Sequence, residues 1–113
     1  MSARIPPIGS LRDRVQLQRK DMSADLVGGH ATSFTPLATV WARVKSLRGR
    51  ERREADGRST IVSHTVVMRY RADLNAGDQI AYRGRILEVL SAADLNGRRA
   101  YLSCSCAEKT VAG

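Results

Sequence analysis

The chain has 113 residues, enough for one domain, and its 19 basic and 11 acidic residues give a formal net charge of +8. This charge favours anionic partners, of which nucleic acid is the first to consider. The sequence lacks both a run of about 18 apolar residues and a signal peptide, so we expect a soluble protein made in the cytoplasm. Aromatic residues form only 4% of the chain, which argues against single-strand binding by base stacking.

The first part of the chain predicts two strands behind a flexible arm. Residues 1–10 contain two adjacent prolines, which resist regular structure, and chain termini are often loose. Alternating apolar and polar residues predict a half-buried strand over 12–20. The stretch DMSADLVGGHATS is expected to be a loop, or equally a long hairpin connection, because of its Gly-Gly pair. A second strand is expected from about Phe34 or Leu37 to Leu47.

A charged excursion, residues 48–59, follows the second strand. With Lys45 it holds six basic and three acidic residues, a net charge of +3. We expect a long charged loop, in which GRERREAD could form two helical turns that need a partner surface for stability. The loop is either a solvated segment with internal ion pairs, or a protrusion aimed at phosphates or at an acidic surface of a neighbouring subunit. Long loops in compact domains are often functional, which favours the protrusion.

The rest of the chain predicts further strands joined by short turns. Residues 61–71 have the clearest alternation, with His64 on the apolar face as a core or interface residue. An Arg-Gly pair marks the turn of a hairpin over 79–90, and the Asn-Gly pair at 96–97 marks the next turn. A last strand is expected over about 100–108.

These elements predict an all-β fold of about six short strands. We expect one small antiparallel sheet, curled into a barrel or a sandwich, over residues 11–109, with the long charged loop 48–59 between strands 2 and 3 and a tail at 110–113.

The cysteines and histidines are the candidate metal ligands of the sequence. Cys104 and Cys106 could be combined with His30 and His64, but two cysteines at strand spacing lack the second pair that makes zinc sites recognisable. We expect both cysteines to be small buried hydrophobic residues, and we expect no metal or other cofactor. The sequence has no serine elbow, paired carboxylates or glycine-rich phosphate loop, so we expect no enzymatic activity.

The predicted strands also carry arginines beside the single tryptophan. Trp41 and the neighbouring arginines have the composition of an interface hot spot, although a plain solvated face is the alternative. The residues expected on this face are Trp41, Arg43, Arg69 and Arg71, with Arg83 and Arg85 projecting from strands beside it.

Four stretches occur in an order and spacing that resemble the bacteriophage head–tail joining proteins. These proteins are also called head-closure or stopper proteins, and relatives occur in prophages and gene transfer agents. The stretches are LRDRVQLQR, ATVWARVKSLRGRE, SHTVVMRYR and GDQIAYRGRILEV. The resemblance covers about Leu11 to Glu108, nearly the whole chain.

The resemblance implies a small β-barrel with a long loop between its second and third strands. It also implies a homo-oligomeric ring, of about six or twelve copies, in the neck of a virion or phage-like particle. Such a ring lies between the portal–adaptor complex and the tail, closes the exit channel on packaged double-stranded DNA without reading its sequence, and docks the tail. In that family the long loop can reach toward the channel. Here that loop is 48–59, and its Arg52-Arg53 pair is more basic than is usual among relatives.

The main hypothesis is therefore a structural head–tail connector without catalytic activity. The alternatives are a free-standing basic nucleic-acid-binding β-barrel and, less favoured, an enzyme or metal protein. Channel and DNA contacts are expected from Arg48, Arg50, Arg52, Arg53 and Arg58, and subunit contacts from Trp41, Arg43, Arg69 and Arg71.

Overall fold

The computed structural model describes residues 10–24, 30–55 and 58–109, and its regular structure is a set of six strands. The strands are β1 (Asp13–Ala24), β2 (His30–Ala55), β3 (Arg58–Arg69), β4 (Gln79–Tyr82), β5 (Arg85–Asp94) and β6 (Tyr101–Lys109). A short 3-10 turn, Leu95–Gly97, connects β5 to β6. Within the described residues, no helix has the length and hydrophobicity needed to cross a membrane.

All six strands belong to one antiparallel sheet that closes on itself. The strand order is β1-β2-β3-β6-β5-β4, and β4 pairs back onto β1 through Leu17 and Ile80. The predicted all-β fold is confirmed. Closure gives every barrel strand a neighbour on both sides, so the barrel body leaves no open sheet edge for unwanted pairing.

Alternation along the strands places one set of side chains inside the barrel. On β3 and β6 the even-numbered residues point inward, and Val66, Met68 and Cys104 have no exposed surface. Valine, leucine and isoleucine side chains from the other strands complete this core. Its fully buried side chains include Val15, Leu17, Ile80, Leu87, Val89 and Cys106.

Asp78 anchors the connection between β3 and β4 to the barrel. Its buried carboxylate accepts hydrogen bonds from the backbone N–H groups of Lys20, at 3.0 Å, and Asn75, at 2.8 Å. A buried donor left without an acceptor costs about 1–3 kcal/mol, so this one side chain fixes the connection against β1.

The charged excursion is a paired β-hairpin rather than the expected loop, and the two helical turns that the sequence allowed do not form. β2 continues to Ala55 and pairs with β3 down to Ala55↔Arg58, after a register shift between Ser46 and Glu51. Extending an existing strand pair adds inter-strand hydrogen bonds without a new nucleation step, whereas two isolated helical turns must bear the cost of nucleation. Asp-Gly at 56–57, outside the described residues, is a pair that favours two-residue hairpin connections.

We call the paired segments 51–55 and 58–62 the β2–β3 arm. The pairing of β3 with β6 begins at His64, so in the described chain these segments pair only with each other. Six residue steps separate His64 from Arg58, so the arm extends about 20 Å beyond the barrel.

A second two-stranded arm leaves the barrel at the other end of β2. β1 separates from β4 after Gln18, and β1 and β2 remain paired as far as Ala24↔His30. Of the two readings of this stretch, the long hairpin connection is therefore correct. The predicted N-terminal arm, except its last residue, and the tail at 110–113 lie outside the described residues.

Candidate functional site

Three of the four predicted subunit-contact residues line one surface groove. The groove has a volume of about 400 Å³ and is formed by Leu11, Val40, Trp41, Arg69, Tyr70 and Arg71. We call it the Trp41 groove. Ala42 and Met68 pair across β2 and β3 and point inward, so Trp41 and Arg69 next to them point outward. Trp41 is 57% exposed, a large apolar surface for a small protein to leave in water.

Arg71 lines the Trp41 groove, but its charge is already paired. Its Nε and Nη2 donate hydrogen bonds to the two carboxylate oxygens of Asp73, at 2.6 and 2.9 Å. This bidentate hydrogen bond lowers the pKa of Asp73 and raises that of Arg71. Arg71 therefore shapes the wall of the groove, and the positive charge that a partner meets comes from elsewhere.

That charge comes from arginines around the tryptophan. The guanidinium of Arg14 lies 5.9 Å from the centre of the Trp41 ring, in a cation–π contact. Arg43 and Arg69 are exposed, and Arg43 stands beyond the lining of the groove rather than in it. Sequence reasoning did not select Arg14, although its place opposite Trp41 in the β1–β2 register follows once the strands are paired.

A second concave surface lies where the β2–β3 arm leaves the barrel. It has a volume of about 300 Å³ and is lined by Val44, Ser46, His64, Tyr82, Arg83 and Arg85. We call it the barrel mouth. The expectation that Arg83 and Arg85 project beside Trp41 was wrong, because the β4–β5 turn carries them to this end of the barrel.

Asp13 fixes one wall of the barrel mouth. Its carboxylate accepts a hydrogen bond from the backbone N–H of Val44 at 2.9 Å and another from the hydroxyl of Tyr82 at 3.3 Å. The Tyr82 ring in turn lies under the guanidinium of Arg83, 5.3 Å from its centre. A chain of contacts from the barrel body therefore orients the arginine at the tip of the turn.

His64 forms the floor of the barrel mouth and is 4% exposed. Its Nδ1 lies 2.8 Å from the hydroxyl of Ser63, which also accepts a hydrogen bond from the backbone N–H of Glu108 at 2.8 Å. The Glu108 carboxylate is 3.8 Å from Arg85. His64 thus belongs to the contact between β3 and β6, as expected of a core histidine.

The five arginines predicted to face DNA lie in the extended parts of β2 and β3, where the structure describes only their backbone. Their side chains lie outside the described residues, so their role in DNA contact stays a prediction. These residues are Arg48, Arg50, Arg52, Arg53 and Arg58.

The two cysteines are core residues, as predicted. Both are fully buried, and burial raises the pKa of Cys104 to about 12 and raises that of Cys106 as well. Burial therefore disfavours the thiolate, which is the form that a metal binds. In the part of the chain that the structure describes, no three Cys, His, Asp or Glu residues could hold a metal ion. The side chain of His30 lies outside that part.

Comparisons with known proteins agree with this architecture. A family model for the phage head completion protein matches residues 6–109. The head completion protein gp7 of Enterobacteria phage HK97 is 30% identical over 103 residues, covering 85% of this chain and 92% of that protein. A solution structure of a protein from Shigella flexneri 2a, 26% identical, has a TM-score of 0.67 and covers 91% of this chain and 96% of that one.

The fold also occurs in an assembled particle. A chain in the virion of a native gene transfer agent particle has a TM-score of 0.63 at 23% identity, with coverage of 88% of this chain and 94% of that chain. At that identity the similarity is one of fold.

Proposed function

Because the chain belongs to the phage head completion protein family, we propose that it is a structural component of a phage or phage-like particle that closes the DNA-filled head and joins it to the tail. The observation that carries this proposal is the family match over residues 6–109, nearly the whole chain. The closed six-stranded barrel is the scaffold for this role, and its long strand β2 extends beyond the barrel at both ends.

In this role the copies form a ring through the Trp41 groove. The groove presents an exposed tryptophan among arginines, the residue types that dominate binding energy at protein interfaces. A groove-to-groove contact between two copies is electrostatically unfavourable, because Arg14, Arg43 and Arg69 of each would face like charges on the other. The contact is therefore between unlike surfaces, and contacts of that kind close into rings when the rotation allows.

The β2–β3 arm extends from this ring toward the DNA channel. Together with Arg48 and Arg50 at its base, a single arm carries a small positive charge, and about six or twelve copies around one axis form a cationic collar. Double-stranded DNA has one negative charge per about 1.7 Å of its axis, so the collar would contact several phosphates without reading the bases. The two faces of the ring contact the portal adaptor and the tail.

Removal of the protein from a particle-producing strain tests this role. We expect heads that package DNA, then lose it and remain without tails, and we expect plasmid-borne wild-type protein to restore complete particles. Electron microscopy and a nuclease-protection assay of packaged DNA provide the readouts. Complete particles formed without the protein would contradict the proposal and favour the alternative, a free-standing DNA-binding barrel that binds duplexes at physiological salt.

A further inference from the structure

We propose that the barrel mouth holds a backbone phosphate of the DNA at the base of the β2–β3 arm, with Arg83 and Arg85 as its donors. This inference rests on the proposed role in closing a DNA channel, and it assigns DNA contact to a part of the barrel outside the arm. Arginine presents five N–H donors in a planar fork, which matches the oxygens of a phosphate.

The backbone conformation at Arg83 indicates that turn stability alone does not explain an arginine at this position. Arg83 has a φ of +48° and Gly84 a φ of +78°, as in a two-residue hairpin turn of type I′. Asn, Asp and Gly favour the first of these positions, because a longer side chain in the left-handed region costs about 1 kcal/mol. The turn would be more stable with asparagine, so its own chemistry does not account for the arginine.

The contacts around Arg83 and Arg85 leave N–H donors of both side chains accessible at the barrel mouth. Arg83 is exposed and rests on the Tyr82 ring, which leaves its N–H groups open to a ligand. The Arg85 side chain is 57% exposed and forms an ion pair with Glu108 at 3.8 Å. That separation is too long for a hydrogen bond, and exposed ion pairs are weak, so the N–H donors of Arg85 remain accessible to a phosphate. Two arginine cations, two residues apart and beside a concave surface wide enough for a phosphate, are placed to bind an anion.

DNA fits this site better than a protein partner does. Protein interfaces centre on an apolar anchor, as in the Trp41 groove, and the exposed rim of the barrel mouth consists of Ser46, Arg83 and Arg85. β2 also runs directly from Ser46 into the arm, whose sequence continues with arginines. Arginines at this surface that are followed along the chain by further arginines match repeated phosphates rather than one carboxylate.

Arg83→Asn provides a sharp test, because Arg99→Asn is a matched control. Arg99 is also exposed, also has a positive φ, +54°, and lies beyond the opposite end of β5. Both substitutions remove one charge and install the residue that a left-handed position favours, so both variants should melt at or above the wild-type temperature. Only Arg83→Asn removes a donor from the barrel mouth.

The measurement is the affinity of purified protein for a short fluorescent duplex over a series of low salt concentrations. We expect weak binding by wild type, and we expect Arg83→Asn to reduce the slope of log K against log salt by about 1, the value for one lost phosphate contact. The slope for Arg99→Asn should remain at the wild-type value. An equal reduction of the salt slope in the two variants, or no duplex binding by wild type, would overturn the inference.

A polyglutamate peptide of the same charge as the duplex serves as the carboxylate probe. Binding of the peptide that is tighter than duplex binding and lost in Arg83→Asn would mean a protein-docking site and would overturn the DNA assignment. The particle experiment above is independent of this result: a normal slope in Arg83→Asn rejects the phosphate site alone, whereas complete particles without the protein reject the connector role.

Discussion

Replacing the five arginines of the excursion with glutamine is expected to leave the barrel folded and to yield particles that lose their DNA or fail to acquire tails. Glutamine retains the polar, extended side chain and leaves the backbone pairing of the hairpin in place. Five charges per copy become about 30 in a ring of about six copies, so the cationic collar is removed. The substituted residues are Arg48, Arg50, Arg52, Arg53 and Arg58.

The readouts are the amount of nuclease-protected DNA per particle and the titre of functional particles. We expect the titre of the glutamine variant to fall by several orders of magnitude. The matched control replaces the same arginines with lysine, which keeps the charge, and this variant should retain both DNA and tails. Circular dichroism and thermal melting of both proteins check the fold. If glutamine particles hold their DNA and carry tails, these five arginines do not act through their charge.

Replacing Trp41 with alanine is expected to prevent ring assembly while sparing the monomer. Truncating a hot-spot tryptophan to alanine weakens the binding free energy of an interface by about 2–4 kcal/mol. A ring has one such interface per subunit, so the loss is repeated around the ring. Because Trp41 is 57% exposed, its removal leaves the buried core unchanged, and the melting temperature should remain close to that of wild type.

Incorporation of the variant into particles, measured against wild type by mass spectrometry, tests the Trp41 groove. Phe34→Ala is the control, because Phe34 is an aromatic residue of the same strand that lies outside the groove lining, in contact with Lys109. We expect Phe34→Ala to be incorporated and Trp41→Ala to be lost. Equal incorporation of both would place the subunit contact on another surface.

The barrel core could be predicted from the sequence because it depends on a local pattern. The alternation around Val66 and Met68 assigns each side chain to one face without knowledge of the partner strand. The same pattern placed Cys104 and Cys106 in the core. The family resemblance, confirmed by the match over residues 6–109, added the barrel closure that no local pattern specifies.

The β2–β3 arm and the positions of Arg83 and Arg85 could not be predicted in the same way. A run of charged residues has no apolar alternation, so only the pairing with β3 and the Asp-Gly pair at 56–57 indicate a hairpin. Which arginines meet in one concave surface depends on how the sheet closes. The alternation of apolar and polar residues predicts which face of a strand a side chain occupies. It does not predict at which end of the barrel a turn such as β4–β5 lies.

The most direct test of the account is a reconstruction of the particle neck at a resolution that traces β-strands. We predict a ring of this protein in which the β2–β3 arms converge on the central axis and each Trp41 groove is covered by a neighbouring copy. A ring whose arms lie flat against their own barrels, ion-paired there and remote from the axis, would contradict it.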